Sequence, residues 1–131
     1  MAEHPHAALV RKGYDAFFRA DMDALRELMT ADVTYHAPGS HPLSGDFKGR
    51  EAVIKMYGRL FQDSGGSLRV ELRSVFVDGR GHVVALHHVT AERGEKRYGE
   101  DGCLVFRIVG DKITDIDECV PDIDRGNAFW S

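Results

Sequence analysis

DVTYHAPGSHPLSGDFKG, residues 32–49, decides how the rest of the chain is read. Val33–Ala37 alternates and carries strand-forming residues, so it reads as a strand with Val33, Tyr35 and Ala37 on one face and Thr34 and His36 on the other. Pro38, Gly39, Pro42 and Gly45 then bar regular structure until Gly49. His36 and His41 flank the Pro38-Gly39-Ser40 turn, and loops held by a rigid scaffold are where chemistry concentrates.

Upstream, Met1–His6 reads as a flexible tail. Leu9, Val10, Tyr14, Phe17 and Phe18 recur with the spacing of an amphipathic helix. Asp21 is a natural N-cap for a second helix running to about Thr30, with Asp23 in its first turn favouring the dipole. Downstream, Arg50–Phe61 turns Val53, Met56, Tyr57 and Leu60 inward as a third helix, stopped by Ser64-Gly65-Gly66. The remainder is sheet. Leu68, Val70 and Leu72 alternate with charged residues until Val75–Val77 breaks the phase, which marks a bulge or a buried end. His82–Ala91, Lys96–Val109 and Ile113–Val120 follow as strands joined by Gly-containing turns. Phe129 and Trp130, near the end, are too apolar a pair to be simply solvated. Three helices followed by a four-stranded antiparallel meander, with one strand between the second and third helices, is an α+β arrangement.

The totals fit one globular domain. The chain has 131 residues with 43% hydrophobic and 29% charged content. A net charge of -4 with scattered Lys and Arg weighs against nucleic acid. No apolar run is long enough to span a membrane and no signal pattern opens the chain, so a cytoplasmic setting is expected. Cys103 and Cys119 do not make a disulfide framework.

A turn at Gly110-Asp111-Lys112 lets Val109 face Ile113. That register sets Arg107 opposite Asp115, Cys103 opposite Cys119, Phe106 opposite Ile116 and Leu104 opposite Glu118. Glu118 therefore joins an apolar inner row with Leu104, Phe106, Ile108 and Ile116, where burial would raise its pKa into a range useful for acid–base work. The plainer alternatives are an open strand end or a partner cation. In HVVALHHVT one histidine must point inward. His88 is our choice, with His87 in its place if a bulge intervenes.

Four strings resemble the NTF2-like superfamily, in particular its SnoaL-like branch: YDAFFRADMDALRELMTADVTYH (14–36), PGSHPLSGDFKGREAV (38–53), FRIVGDKITDIDE (106–118) and AFWS (128–131). Relatives in that branch include polyketide cyclases, steroid Δ-isomerases and limonene-type epoxide hydrolases. The resemblance implies a cone of three N-terminal helices on a curved, mostly antiparallel sheet enclosing a pocket, and a homodimer through the sheet. It sets His36 where the isomerases carry a catalytic aspartate, Tyr14 near their oxyanion tyrosine, and Leu104 in place of their second acid. Glu118 stands where the epoxide hydrolases have an aspartate. The candidate catalytic set is thus His36, Glu118, His88 and Tyr14, and the candidate ligand-binding set Phe17, Phe18, Tyr57, Leu104, Phe106, Ile116 and Trp130.

Such a set suits proton abstraction next to a carbonyl on a hydrophobic small molecule, giving isomerisation or cyclisation without a cofactor. Water activation is a hydrolytic variant. A metal on His36, His88 and Glu118 has the ligand number of a catalytic site but no local ligand spacing. The competing class is a non-catalytic ligand-binding or dimerisation domain.

Overall fold

The structure is a computed structural model and describes residues 3–131. Its elements run α1 (Pro5–Phe18), α2 (Met22–Leu28), β1 (Met29–Ala37), β2 (Gly45–Lys48), α3 (Arg50–Asp63), β3 (Arg69–Val77), β4 (His82–Arg93), β5 (Lys96–Val109), β6 (Lys112–Cys119) and α4 (Ile123–Trp130). The chain enters α1 at Pro5, inside the stretch expected to be a tail, because Pro5 suits the first helical position and the His4 ring accepts from the His6 amide at 3.1 Å. Met1 and Ala2, the rest of that expected tail, lie outside the described residues. Ala20 turns left-handed (φ 53°) to end α1, and the Asp21 carboxylate caps α2 by accepting from the Ala24 amide at 3.1 Å.

The strands form one mixed sheet in the order β2-β1-β6-β5-β4-β3. β1 runs parallel to β6, with Tyr35 beside Ile116, and the other pairings are antiparallel. β2 and β3 are edges that do not meet, so the sheet is open. The expected cone of three N-terminal helices on a curved, mostly antiparallel sheet is therefore corrected: there are four described helices, α4 follows the last strand, and the sheet is neither curved nor closed as that picture required. GDFK (45–48) also pairs with β1, inside a loop expected to lack regular structure.

The β5–β6 register agrees with the sequence reading from Cys103–Cys119 through Arg107–Asp115. At the turn it differs. Val109 faces Lys112, and a bulge after Arg107 restores the phase. In β3 the register shift falls between Leu72 and Ser74, so that Val75 rather than Ser74 is the next inward residue after Leu72.

Helices α1, α2 and α3 cover one sheet face. Val10, Val33, Val53 and Val83 are wholly buried between them. A second cluster joins Phe129 and Trp130 of α4 to Leu43, Leu68 and Ala91. No described helix is long and apolar enough to cross a membrane.

Candidate functional site

The covered sheet face and the helices do not fill all the space between them. A cavity of about 130 Å³ remains, on the scale of one that admits a small aromatic ring. Phe17 of α1, Tyr57 of α3, Leu104 and Phe106 of β5, Ile116 of β6 and Trp130 of α4 all face it. Phe18, one residue on from Phe17, is 69% exposed and points away. A helix turns about 100° per residue, so adjacent positions cannot share one narrow face; Phe18 is not a lining residue.

Two hydrogen-bonded pairs interrupt the apolar wall. The Tyr14 hydroxyl lies 2.7 Å from His87 Nδ1, and the Tyr35 hydroxyl donates to Glu118 Oε1 at 2.7 Å. All four residues line the cavity. Burial lowers His87 to a pKa of about 4, so the imidazole is neutral at physiological pH. Burial raises Tyr14 and Tyr35 far above the usual phenol range. Burial also raises the Glu118 carboxyl, with Glu100 adding to the rise and the Tyr35 hydrogen bond opposing it.

The Tyr14–His87 pair is chemically simple. With the imidazole proton on Nδ1, His87 donates to Tyr14 and frees the phenol hydrogen. With it on Nε2, Tyr14 donates to Nδ1 and the Nε2–H is free. Either tautomer leaves one neutral donor for an oxygen that becomes negative. Gly102 keeps Nε2 accessible, since a Cβ there would sit 3.3 Å from it.

The other histidines lie elsewhere. His36 is exposed on the opposite sheet face, with Nδ1 2.5 Å from Asp46 Oδ1. The period of the strand accounts for this: Val33, Tyr35 and Ala37 are buried, so Tyr35 and not His36 turns inward. His88 pairs with Asp101 across strands, its Nδ1 2.8 Å from Oδ1, and His87 takes the inward place without a bulge in the β4–β5 pairing. The structure therefore brings Tyr14 and Glu118 to the cavity and leaves His36 and His88 outside it. Among the described residues, no three His, Cys, Asp or Glu side chains are grouped to hold a metal ion. His41 stands at the rim near Trp130, ring centroids 6.5 Å apart.

Tyr35, His87 and Glu100 are cavity residues that the sequence reading did not select. Each had a signal. Tyr35 shares the phase of Val33, and His87 and Glu100 follow from carrying the Leu104 row across to Ala85 and back along β5. Glu100 is only 4% exposed. Tyr98 donates to its Oε1 at 2.9 Å.

Comparison with known proteins adds the family. The sequence model of the SnoaL-like domain matches residues 10–116. An uncharacterized protein of Mycobacterium tuberculosis (strain ATCC 25618 / H37Rv) is 28% identical over 131 residues, covering 100% of both chains. The structure of Bal32a, from a soil-derived mobile gene cassette, superposes with a TM-score of 0.94 at 36% identity, covering 97% of each chain. An NTF2-like protein from Burkholderia xenovorans LB400 shares the fold, with a TM-score of 0.81 at 18% identity over 100% of this chain and 99% of that one. The domain match spans most of the chain, which therefore belongs to the SnoaL-like domain family.

Proposed function

We propose that the protein binds a hydrophobic small molecule in this cavity and moves a proton next to its carbonyl group, as an isomerase or cyclase that needs no cofactor. One observation carries the reading: the Tyr14–His87 and Tyr35–Glu118 pairs face the same apolar space. Glu118, as carboxylate, accepts the α-proton and returns it at another position. Its raised pKa brings its basicity closer to neutral pH than that of an ordinary carboxylate. The Tyr14–His87 pair donates its one free hydrogen, the phenol O–H or the imidazole Nε2–H according to tautomer, to the enolate oxygen that forms. Tyr35 orients Glu118. No catalytic role falls to His36 or His88 in this scheme. Free thiols at Cys103 and Cys119 support the cytoplasmic setting.

Hydrogen–deuterium exchange at the α-carbon of 2-tetralone in D2O, followed by proton NMR, tests this without a known substrate. The expected result is exchange faster than buffer. Glu118→Gln should slow it by roughly a hundredfold or more, and Tyr14→Phe by about a hundredfold. His36→Ala should leave it unchanged. Bound 2-tetralone, seen by shifts of cavity resonances, with no acceleration of exchange would refute the acid–base role and leave a binding protein.

A further inference from the structure

Glu100 has no part in the proton transfer above, yet its side chain is 3% exposed and lines the cavity. Tyr98 satisfies Oε1. Oε2 is buried without a hydrogen-bond partner. Arg125 of α4 is the nearest cation, but its Nε stands 3.7 Å from Oε2, beyond hydrogen-bond range, and its Nη1 is turned to the Gly99 carbonyl at 3.5 Å. A buried acceptor left unpaired is costly, and the Glu100 carboxylate belongs to the wall of a ligand-sized space, where a donor carried on the ligand relieves it.

The surroundings select the kind of donor. Arg125 already supplies a positive charge beside the carboxylate, so a second full cation is not required, and a neutral hydroxyl meets the need of Oε2. The walls select the body that carries it. Phe17, Tyr57, Phe106 and Trp130 offer aromatic faces and edges to the space, which favour a flat unsaturated ring system. Glu100 sits on the inner face of β5 with Leu104, which pairs with Glu118, but four residues along the strand from it. The hydroxyl is therefore recognised at a different level of the cavity from the carboxyl that moves the proton.

We propose that Glu100 is a specificity-determining residue whose Oε2 accepts a hydrogen bond from the ligand, and that the ligand class is a hydroxylated aromatic molecule. This rests on the small-molecule reading of the cavity but not on its acid–base chemistry.

Isothermal titration calorimetry with 2-naphthol and its methyl ether, 2-methoxynaphthalene, tests it, because the ether keeps the rings and lacks the donor. Wild type should bind 2-naphthol roughly tenfold or more tightly than the ether. Glu100→Leu should abolish or invert that preference. Glu100→Gln, nearly isosteric, guards against a misfolded Leu variant and should weaken the preference. Equal affinities in wild type, or a preference undiminished in the variants, would overturn the role of Glu100 while leaving the cavity reading intact. If wild type binds neither compound, the cavity reading falls, and this proposal with it.

Discussion

Burial keeps Tyr14 and His87 neutral, and that neutrality has a thermodynamic consequence. His87 is lowered from an ordinary 6.5 to about 4 by burial. Between those values the unfolded chain binds a proton that the folded chain refuses. His87 therefore contributes stability that is present above pH 6.5 and lost as pH falls toward 4, roughly 3 kcal/mol in all. Glu118 has the opposite sign. Its folded pKa is raised, so its contribution is full below the unfolded carboxylate value and is lost as pH rises through the folded one. Urea unfolding across pH 4 to 8 separates the two. His87→Gln should flatten the acid limb, and Glu118→Gln should exceed wild type in stability at neutral pH by a margin that vanishes toward pH 4. An unchanged acid limb in His87→Gln would mean that another group sets it. The same residues show what was legible in sequence. The inward phase of Glu118 followed from local register, which a short turn fixes. His87 needed that register carried across one more strand, and the choice of His88 stopped short of it. His36 was selected by resemblance against the alternation of its own strand, and the alternation prevailed.

At the scale of elements, the two that went unread are β2 and α4. β2 is four residues, GDFK, bounded by glycines, and its pairing with β1 is a tertiary fact that propensity does not carry. α4 is eight residues with Gly126 inside it, although Asp122 caps it by accepting from the Asp124 amide at 3.1 Å. What holds α4 is outside it. Arg93 Nη1 donates to the Phe129 carbonyl at 2.7 Å, and Lys96 Nζ to the Ala128 carbonyl at 3.1 Å. Asn127 Oδ1 accepts from the Ser40 amide at 2.7 Å. The helix thus ties the 38–44 loop to the β4–β5 turn and lays Phe129 against Tyr98, ring centroids 5.2 Å apart. Phe129→Ala should cost about 3–5 kcal/mol in urea unfolding. Trp130→Ala should also weaken 2-naphthol binding, because Trp130 faces the cavity. A loss under 1 kcal/mol for Phe129→Ala would make α4 an ornament of the fold rather than a part of it.

At the scale of the whole molecule, the register defines complete rows across the uncovered sheet face. One runs Phe76, Val84, Val105, Asp117, His36, Asp46 from β3 to β2. A neighbouring row runs Ser74, Leu86, Cys103, Cys119. Local alternation made the halves of these rows readable. The parallel joint between β1 and β6 was not, because it pairs segments about eighty positions apart. The first row is apolar over β3, β4 and β5 and polar or charged over β6, β1 and β2. Phe76 is 58% exposed and Leu86 40%, close together on a sheet face that no described helix covers. A two-fold interface brings the same patch of two copies together, and we propose that this strip joins two copies of the chain, the dimer through the sheet that the family resemblance implied. The partner would cover Leu86 and leave His36 near the wet margin, where its pairing with Asp46 already satisfies it. Sedimentation equilibrium should then give twice the 14.6 kDa chain mass for wild type. Leu86→Glu, a change at a half-exposed position that the core does not feel, should return the mass to that of one chain with the urea-unfolding midpoint extrapolated to the monomer unchanged. Wild-type mass retained by both Leu86→Glu and Phe76→Glu would move the interface off this face, since neither carboxylate could be buried against its own copy without a partner charge.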